Sequence, residues 1–203
     1  MPATVPHIHH CPAPKVSEKM RFWRSWLGKP LQVGAVSPSS RFLARTMASY
    51  VDQASTGKVI EIGPGTGPVT QALLAHGVAP ERLVLVEYDP TFVQLLRQRF
   101  EGVTVIQGDG YALRDTLAGF IGEPVSAIVS SLPLMTRPPA RRAALLKEAL
   151  SLMPPGNPFI QFTYALTPPI ARKAHMSVEG SRRIWRNIPP ARVWVYRTSH
   201  PEM

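Results

Sequence analysis

Three carboxylates are spaced through the middle of the chain, each in or just after a short apolar run. Glu61 lies in Val59, Ile60, Glu61, Ile62, and Gly63, Pro64, Gly65, Thr66 and Gly67 follow directly. Glu87 closes the run Val84, Leu85, Val86, and Asp109 stands between Gly108 and Gly110 after the run 103–107. A glycine-rich turn lets the chain bend tightly and lets a ligand approach the backbone. A carboxylate ending a second strand can bind both hydroxyls of a ribose, and one following a third strand is placed to meet an adenine edge. Together these residues suit a nucleoside. A dinucleotide fingerprint would want a glycine at position 68. The chain has Pro68 there, which suits the first turn of a helix but gives no close packing on a diphosphate. The lysine of a phosphate-binding P-loop is missing as well, so NAD and ATP are both disfavoured.

Residues of these kinds work only if strands end where they stand. Short apolar runs at 58–62, 83–87, 103–107, 125–130 and 159–163 read as strands, and between them 69–76, 91–100, 111–118 and 140–152 read as helices. Strands and helices alternating at this spacing imply right-handed βαβ units and a parallel sheet. The segment 192–197 reads as a closing strand, paired with residues near 182–186. Ahead of the sheet, 17–27 reads as an amphipathic helix, with Val16, Met20, Trp23 and Leu27 on one line, Phe22 and Trp26 widening it, and Arg21 and Arg24 opposite. Lys19 falls inside the apolar arc, where its stem can snorkel. The organisation expected is a disordered start (1–14), amphipathic membrane-binding or lid helices (15–50) and a ligand-binding domain (51–203).

Composition narrows the class. A chain of 203 residues fits one domain, and one of that size buries roughly 70% of its unfolded surface. No stretch approaches the ~20 apolar residues needed to span a bilayer, and the proline- and histidine-rich start has no apolar h-region of a secretion signal. The single cysteine, Cys11, excludes an internal disulfide and a multi-cysteine zinc site. His7, His9 and His10 stand beside it without a partner motif, so no functional metal is expected. The net charge is +10, divided as +6 before Asp52, −1 from Asp52 to Tyr164 and +5 beyond. A near-neutral middle with basic ends suits an anionic partner, either nucleic acid or a membrane surface.

The glycine turn with Glu61, Glu87 and Asp109 in register resembles the class I S-adenosylmethionine-dependent methyltransferases over about residues 57–163. That resemblance implies a Rossmann-like α/β fold, a mostly parallel seven-stranded sheet with helices on both faces. It implies S-adenosylmethionine as cofactor, S-adenosylhomocysteine as product, and no metal. Glu61, Gly63, Gly65 and Gly67 would then cradle the methionine moiety, with Thr66, Glu87, Tyr88, Asp109, Gly110 and Ser130 completing the cofactor site. The fourth strand runs into Ser130, Ser131, Leu132, Pro133, Leu134. Relatives acting on adenine carry Asn or Asp first and an aromatic fourth at this place, to hydrogen-bond and stack the base. Serine and Leu134 at these positions weaken a nucleobase acceptor.

Further segments form a set: 34–40 (Gly, Ala, Val, Ser, Pro, Ser, Ser), 161–164 (Gln, Phe, Thr, Tyr) and 185–192 (Trp, Arg, Asn, Ile, Pro, Pro, Ala, Arg). With the Trp-rich basic helix in front, they resemble the bacterial phospholipid N-methyltransferases of the soluble, rhizobial type, over about residues 22–196. This implies conversion of phosphatidylethanolamine to phosphatidylcholine through mono- and dimethyl intermediates. It also implies a monomer on the inner face of the cytoplasmic membrane, with no nucleic-acid partner. Lys19, Phe22, Trp23, Arg24 and Trp26 would meet the anionic surface. Tyr164 and the carbonyls around Ser130 and Leu132 are candidates for orienting the amine. Tyr164 or Trp23 could hold methylated cations by their ring faces. Arg186 is the candidate for the lipid phosphate, with Ser37, Ser39, Ser40 and Arg41 beside it. The competing reading is an RNA or DNA adenine N-methyltransferase similar to the ribosomal dimethyladenosine enzymes, which explains the basic ends equally well. A third is a membrane-binding module that keeps the cofactor fold without turnover.

Overall fold

Every central strand is short, apolar and buried on both faces, so each needs a covering layer above and below the sheet. A computed structural model describes residues 40–120, 122 and 124–198, all within the compact unit Ser37–Met203. Helix α1 (Arg41–Ala48) precedes β1 (Lys58–Ile62), α2 (Pro68–Ala75), β2 (Leu83–Glu87), α3 (Pro90–Arg99), β3 (Thr104–Gln107), α4 (Leu113–Thr116) and β4 (Val125–Ser130). Then come α5 (Pro139–Ser151), β5 (Phe159–Thr163), β6 (Met176–Gly180) and β7 (Arg192–Thr198). The seven strands lie in the order β3-β2-β1-β4-β5-β7-β6. All neighbours pair parallel except at β7, which is antiparallel to both β5 and β6.

The period of two along the strands divides the core. Val59, Leu83, Leu85, Val129, Ile160 and Val193 face one side, where α1, α2 and α3 supply Leu43, Met47, Leu73 and Leu96. Ile60, Ile62, Val84, Ile128 and Phe159 face the other, against Leu113 of α4 and Leu145, Leu146 and Leu150 of α5. Helix starts follow local chemistry. Asp89 accepts the Thr91 N–H at 2.8 Å to cap α3, and Ser40 Oγ accepts the Leu43 N–H at 3.3 Å to cap α1. Pro68 and Pro90 occupy first-turn positions, where no N–H is needed.

The strand order reverses beside β1. The chain winds outward through β2 and β3, then returns to the other side of β1 with β4. In open α/β sheets the crevice at the carboxyl ends of the strands flanking such a reversal is the ligand site.

The fold expected from the sequence is the fold observed, with three adjustments. The partner of β7 at the sheet edge is β6, Met176–Gly180, and the expected segment near 182–186 contributes only an isolated bridge between Ile184 and Ala191. Only Met176 of β6 is buried, so its alternation carries little hydrophobic signal. Helix α1, expected to stand with the lid segment 15–50, packs in the domain core: Leu43, Ala44, Met47 and Ala48 are buried there. Helix α4 is a single turn inside the longer helix expected over 111–118.

Candidate active site at the carboxyl ends of β1, β2 and β4

The turn after β1 requires left-handed backbone at Gly63 (φ +69°), Gly65 (φ +57°) and Gly67 (φ +84°). It is tied down from the β2 side. The Gly63 N–H donates to the Val86 carbonyl at 2.9 Å, and the Gly65 N–H donates to Glu87 Oε2 at 3.0 Å. The other oxygen of Glu87 accepts the Tyr88 and Asp89 N–H groups at 2.8 and 3.0 Å. Burial pushes the Glu87 carboxyl up, and those three N–H donors pull against it. A Cβ on Gly65 would meet nothing within 4 Å, so the top of the turn faces open space. Tyr88 and Thr66 are exposed beside it.

Glu61 is fully buried beneath this turn. Its Oε2 accepts the Thr70 hydroxyl at 2.6 Å, while Oε1 has no hydrogen-bond partner. Burial raises its pKa to about 8, against the opposing Thr70 bond. On the β3 side, Asp109 is exposed, and its Oδ1 accepts the Tyr111 N–H at 2.8 Å. Arg137 sits 4.8 Å from the centre of the Tyr111 ring.

One side chain joins the two halves of the site. Leu132, in the loop after β4, lies between the β1 turn and the β3 loop. A Cβ on Gly63 would stand 2.7 Å from its Cδ2, and one on Gly110 would stand 3.2 Å from its Cδ1. The loop is pinned from behind, since the Ser131 N–H donates to the Ile62 carbonyl at 2.9 Å. Gln161 Nε2 donates to the Leu132 carbonyl at 3.0 Å and to the Phe162 carbonyl at 2.8 Å. Ser130 is fully buried, and its Oγ accepts the Leu132 N–H at 3.4 Å.

The acceptor-side candidates converge on Asn187, which is 1% exposed. Its Oδ1 accepts the Ser40 N–H at 2.9 Å and its Nδ2 donates to the Pro189 carbonyl at 2.7 Å. Burial raises the Tyr164 hydroxyl, and its interaction with Asn187 opposes that rise. Phe162 packs edge-on against Tyr164 with centroids 5.5 Å apart. Arg41 and Arg186 both approach the Phe42 ring, at 4.9 and 5.0 Å from its centre. Ser40, Arg41, Tyr164 and Arg186 therefore belong to one neighbourhood. Ser37, Ser39, Lys19, Phe22, Trp23, Arg24, Trp26 and the His7–His10–Cys11 group lie outside the described residues. Among the described residues, no group of three or more His, Cys, Asp and Glu side chains is placed to hold a metal. No helix among them is long and apolar enough to cross a membrane.

Thr70, Gln161 and Asn187 carry no expected role from the sequence, yet each is a buried polar group bonded to a candidate site residue. The available signal was the presence of polar residues in otherwise apolar or proline-rich segments. Replacing Asn187 by alanine is expected to cost about 1–2 kcal/mol, since it removes the hydrogen bonds that a buried amide makes to two separate segments, at Ser40 and Pro189. A thermal melt would show this, and an unchanged midpoint would mean the Ser40 tie contributes nothing.

The cradle suits a cofactor bearing a nucleoside at one end and a positive charge at the other. Glu87 and Asp109 flank the β2 and β3 ends, and the unpartnered Glu61 oxygen lies under the open glycine turn. Residues 59–156 match a family described as a methyltransferase domain. The chain is 32% identical over 135 residues to an ornithine lipid N-methyltransferase of Singulisphaera acidiphila, covering 64% of this chain and 70% of that protein. It is 36% identical over 100 residues to the ribosomal RNA small subunit methyltransferase A of Geobacter sulfurreducens, but spans only 35% of that protein. Among solved structures, an O-methyltransferase from Bacillus cereus in complex with S-adenosylhomocysteine superposes with a TM-score of 0.57 at 17% identity, covering 92% of each chain. Magnesium protoporphyrin IX methyltransferase from Synechocystis, with bound S-adenosylmethionine, gives 0.61 at 13% identity, covering 90% of this chain and 92% of that one. At such identities these two structures speak for the fold.

Proposed function

We propose that this chain, which belongs to the class I S-adenosylmethionine-dependent methyltransferases, methylates the amine of phosphatidylethanolamine and its mono- and dimethyl derivatives to form phosphatidylcholine. The observation that carries this reading is the composition of the acceptor end. The loop after β4 offers a serine hydroxyl and backbone carbonyls, and its fourth position, Leu134, is buried in the core rather than presenting a ring to a base. Arg41 and Arg186 both approach the Phe42 ring, and together they would meet a lipid phosphate by charge-assisted hydrogen bonds. The likeness to an ornithine lipid N-methyltransferase supports an amine on a membrane lipid as the acceptor. The protein would act as a peripheral monomer at the cytoplasmic leaflet, with Lys19, Phe22, Trp23, Arg24 and Trp26 as additional membrane contacts.

When bound, S-adenosylmethionine supplies an electrophilic methyl group on a sulfonium. Glu61, Gly63, Gly65, Thr66 and Gly67 would hold the methionine end, and Glu87, Tyr88, Asp109 and Gly110 the nucleoside. The chain's own task is alignment and exclusion of water. An ethanolamine reaches the site as an ammonium, which has no lone pair until it loses a proton. Desolvation in the crevice lowers its pKa and makes that loss easier without a dedicated strong base. The Leu132 carbonyl already accepts from Gln161 Nε2 at 3.0 Å and from the Leu134 N–H at 2.9 Å, so it would fix the shape of the loop. The Ser130 hydroxyl would accept from a remaining amine N–H once the proton has passed to solvent. The ring of Tyr164 would hold the methylated cations.

Radiolabelled S-adenosylmethionine incubated with vesicles of phosphatidylethanolamine and phosphatidylglycerol should yield labelled mono-, di- or trimethylated lipid on chromatography. Tyr164→Leu, which removes the ring, and Ser130→Ala are each expected to lower kcat about five- to tenfold, and unchanged turnover in both would overturn the arrangement. The likeness of part of the chain to a ribosomal RNA methyltransferase supports RNA as the second acceptor reading, with adenine the expected base. Label in RNA with none in lipid would establish that reading instead.

A further inference from the structure

The loop between β6 and β7 and the loop after β5 together expose three large apolar side chains on the acceptor side of the molecule. Trp185 is 73% exposed and Ile188 71%, and Leu166, in the loop after β5, is 75% exposed. Single exposed apolar residues are common on any surface, but one side chain ties together the segments that carry these three. Arg183 Nη2 donates to the Tyr164 carbonyl and to the Pro190 carbonyl, each at 3.3 Å, and its guanidinium lies 5.7 Å from the Trp185 ring centre. Leu166 is two residues beyond Tyr164 and Ile188 two before Pro190. Their Cα atoms therefore stand within about 8 Å of the residues that Arg183 joins. Around them the segment 181–192 holds Arg182, Arg183, Arg186 and Arg192 and no acid, and Arg41 and Arg45 of α1 add to the positive rim.

We infer that Leu166, Trp185 and Ile188 form an insertion tip that docks on an anionic bilayer and faces the acceptor crevice toward it. The aliphatic pair fits the boundary between headgroups and acyl chains, the tryptophan fits the interface, and the arginines fit lipid phosphates. The position agrees with this. Thr163 pairs with Arg192 at the carboxyl end of β5, and Ser130 pairs with Gln161 on the same strand, so the tip rises from the end of the sheet that carries the acceptor loop. Single-stranded RNA would instead require free aromatic faces for stacking. The tip offers a single ring, Trp185, and its other two residues are aliphatic. The inference rests on the lipid-acceptor reading for its orientation toward the crevice, whereas docking itself can be measured without any acceptor.

The test is flotation of the full chain with vesicles of phosphatidylglycerol and phosphatidylcholine, which carry no amine to methylate. Trp185→Ala and the pair Leu166→Asp with Ile188→Asp are compared with the wild type after thermal melts establish intact folding. The double variant is expected to partition at least about tenfold more weakly and Trp185→Ala about threefold. Turnover on phosphatidylethanolamine dispersed in detergent micelles should stay within about twofold for both. Equal partitioning of wild type and variants, or a wild type that does not float, would overturn the proposal. So would variants that lose RNA in a gel shift while keeping vesicle binding. A wild type that floats through these residues yet labels no micellar lipid would sink the substrate assignment and leave the docking surface standing.

Discussion

Glu61→Gln is expected to make the cofactor-free protein more stable near pH 8 than the wild type, relative to their difference near pH 5, by on the order of 3 kcal/mol. The carboxyl is fully buried, its Oε1 lacks a partner, and its pKa stands at about 8 against 4.5 in an ordinary setting. Between those values the folded protein keeps a proton that the unfolded chain has released. Its contribution to stability is therefore full below about pH 4.5, falls as pH rises, and is flat above about pH 8. Glutamine keeps the shape and the Thr70 contact but removes the titration. Denaturant unfolding of both proteins across pH 5–9 measures the difference, and parallel curves would show that Glu61 does not titrate in this range. If Glu61 holds the methionine end of the cofactor, as proposed, the positive ligand favours the ionised carboxyl. Binding at pH 7 should then expel close to one proton, seen by calorimetry in buffers of different ionisation enthalpy, and affinity should rise toward pH 8. In Glu61→Gln the proton release should vanish. Equal release in both proteins would place the cation elsewhere.

Gly67→Ala should lower stability by about 2–4 kcal/mol, or the midpoint Tm by roughly 5–15 °C for a domain of this size. Two costs combine. Gly67 initiates α2 with φ +84°, a backbone that L side chains adopt at a cost of about 1 kcal/mol or more. An added Cβ would also collide with the ring of Phe100, which is itself buried. The two can be separated, because Phe100→Leu in the alanine background should recover the collision and leave the backbone strain. An alanine variant as stable as the wild type would mean that the turn relaxes freely, and the tight approach of α2 to α3 would lose its significance.

The parts of this molecule that declare themselves in sequence are those where local pattern and tertiary role coincide. Strands β1, β2, β4 and β5 are continuous apolar runs because both faces are covered, so their bounds were legible to the residue. Glu61 and Glu87 stood out because acids in such runs are rare. Strand β6 was not legible, since an edge strand with one buried residue has no strong alternation, while the more apolar 184–185 drew the pairing toward itself. Helix α1 shows its stripe of Leu43, Ala44, Met47 and Ala48, but a stripe does not say which surface will cover it. Gln161 and Asn187 were illegible for another reason. A buried amide acquires its role from partners brought by folding, here the Leu132 carbonyl 29 residues away and the Ser40 N–H 147 residues away.

The isobutyl group of Leu132 has one further meaning. It fills the space beside Gly63 and Gly110 on the donor side, while the carbonyl of the same residue belongs to the acceptor loop. A cofactor held on the glycine turn and an amine held by the loop after β4 would thus meet at one residue. Any coupling carried by this residue would change the two affinities by the same factor. The donor and acceptor sides of the proposed site share a wall.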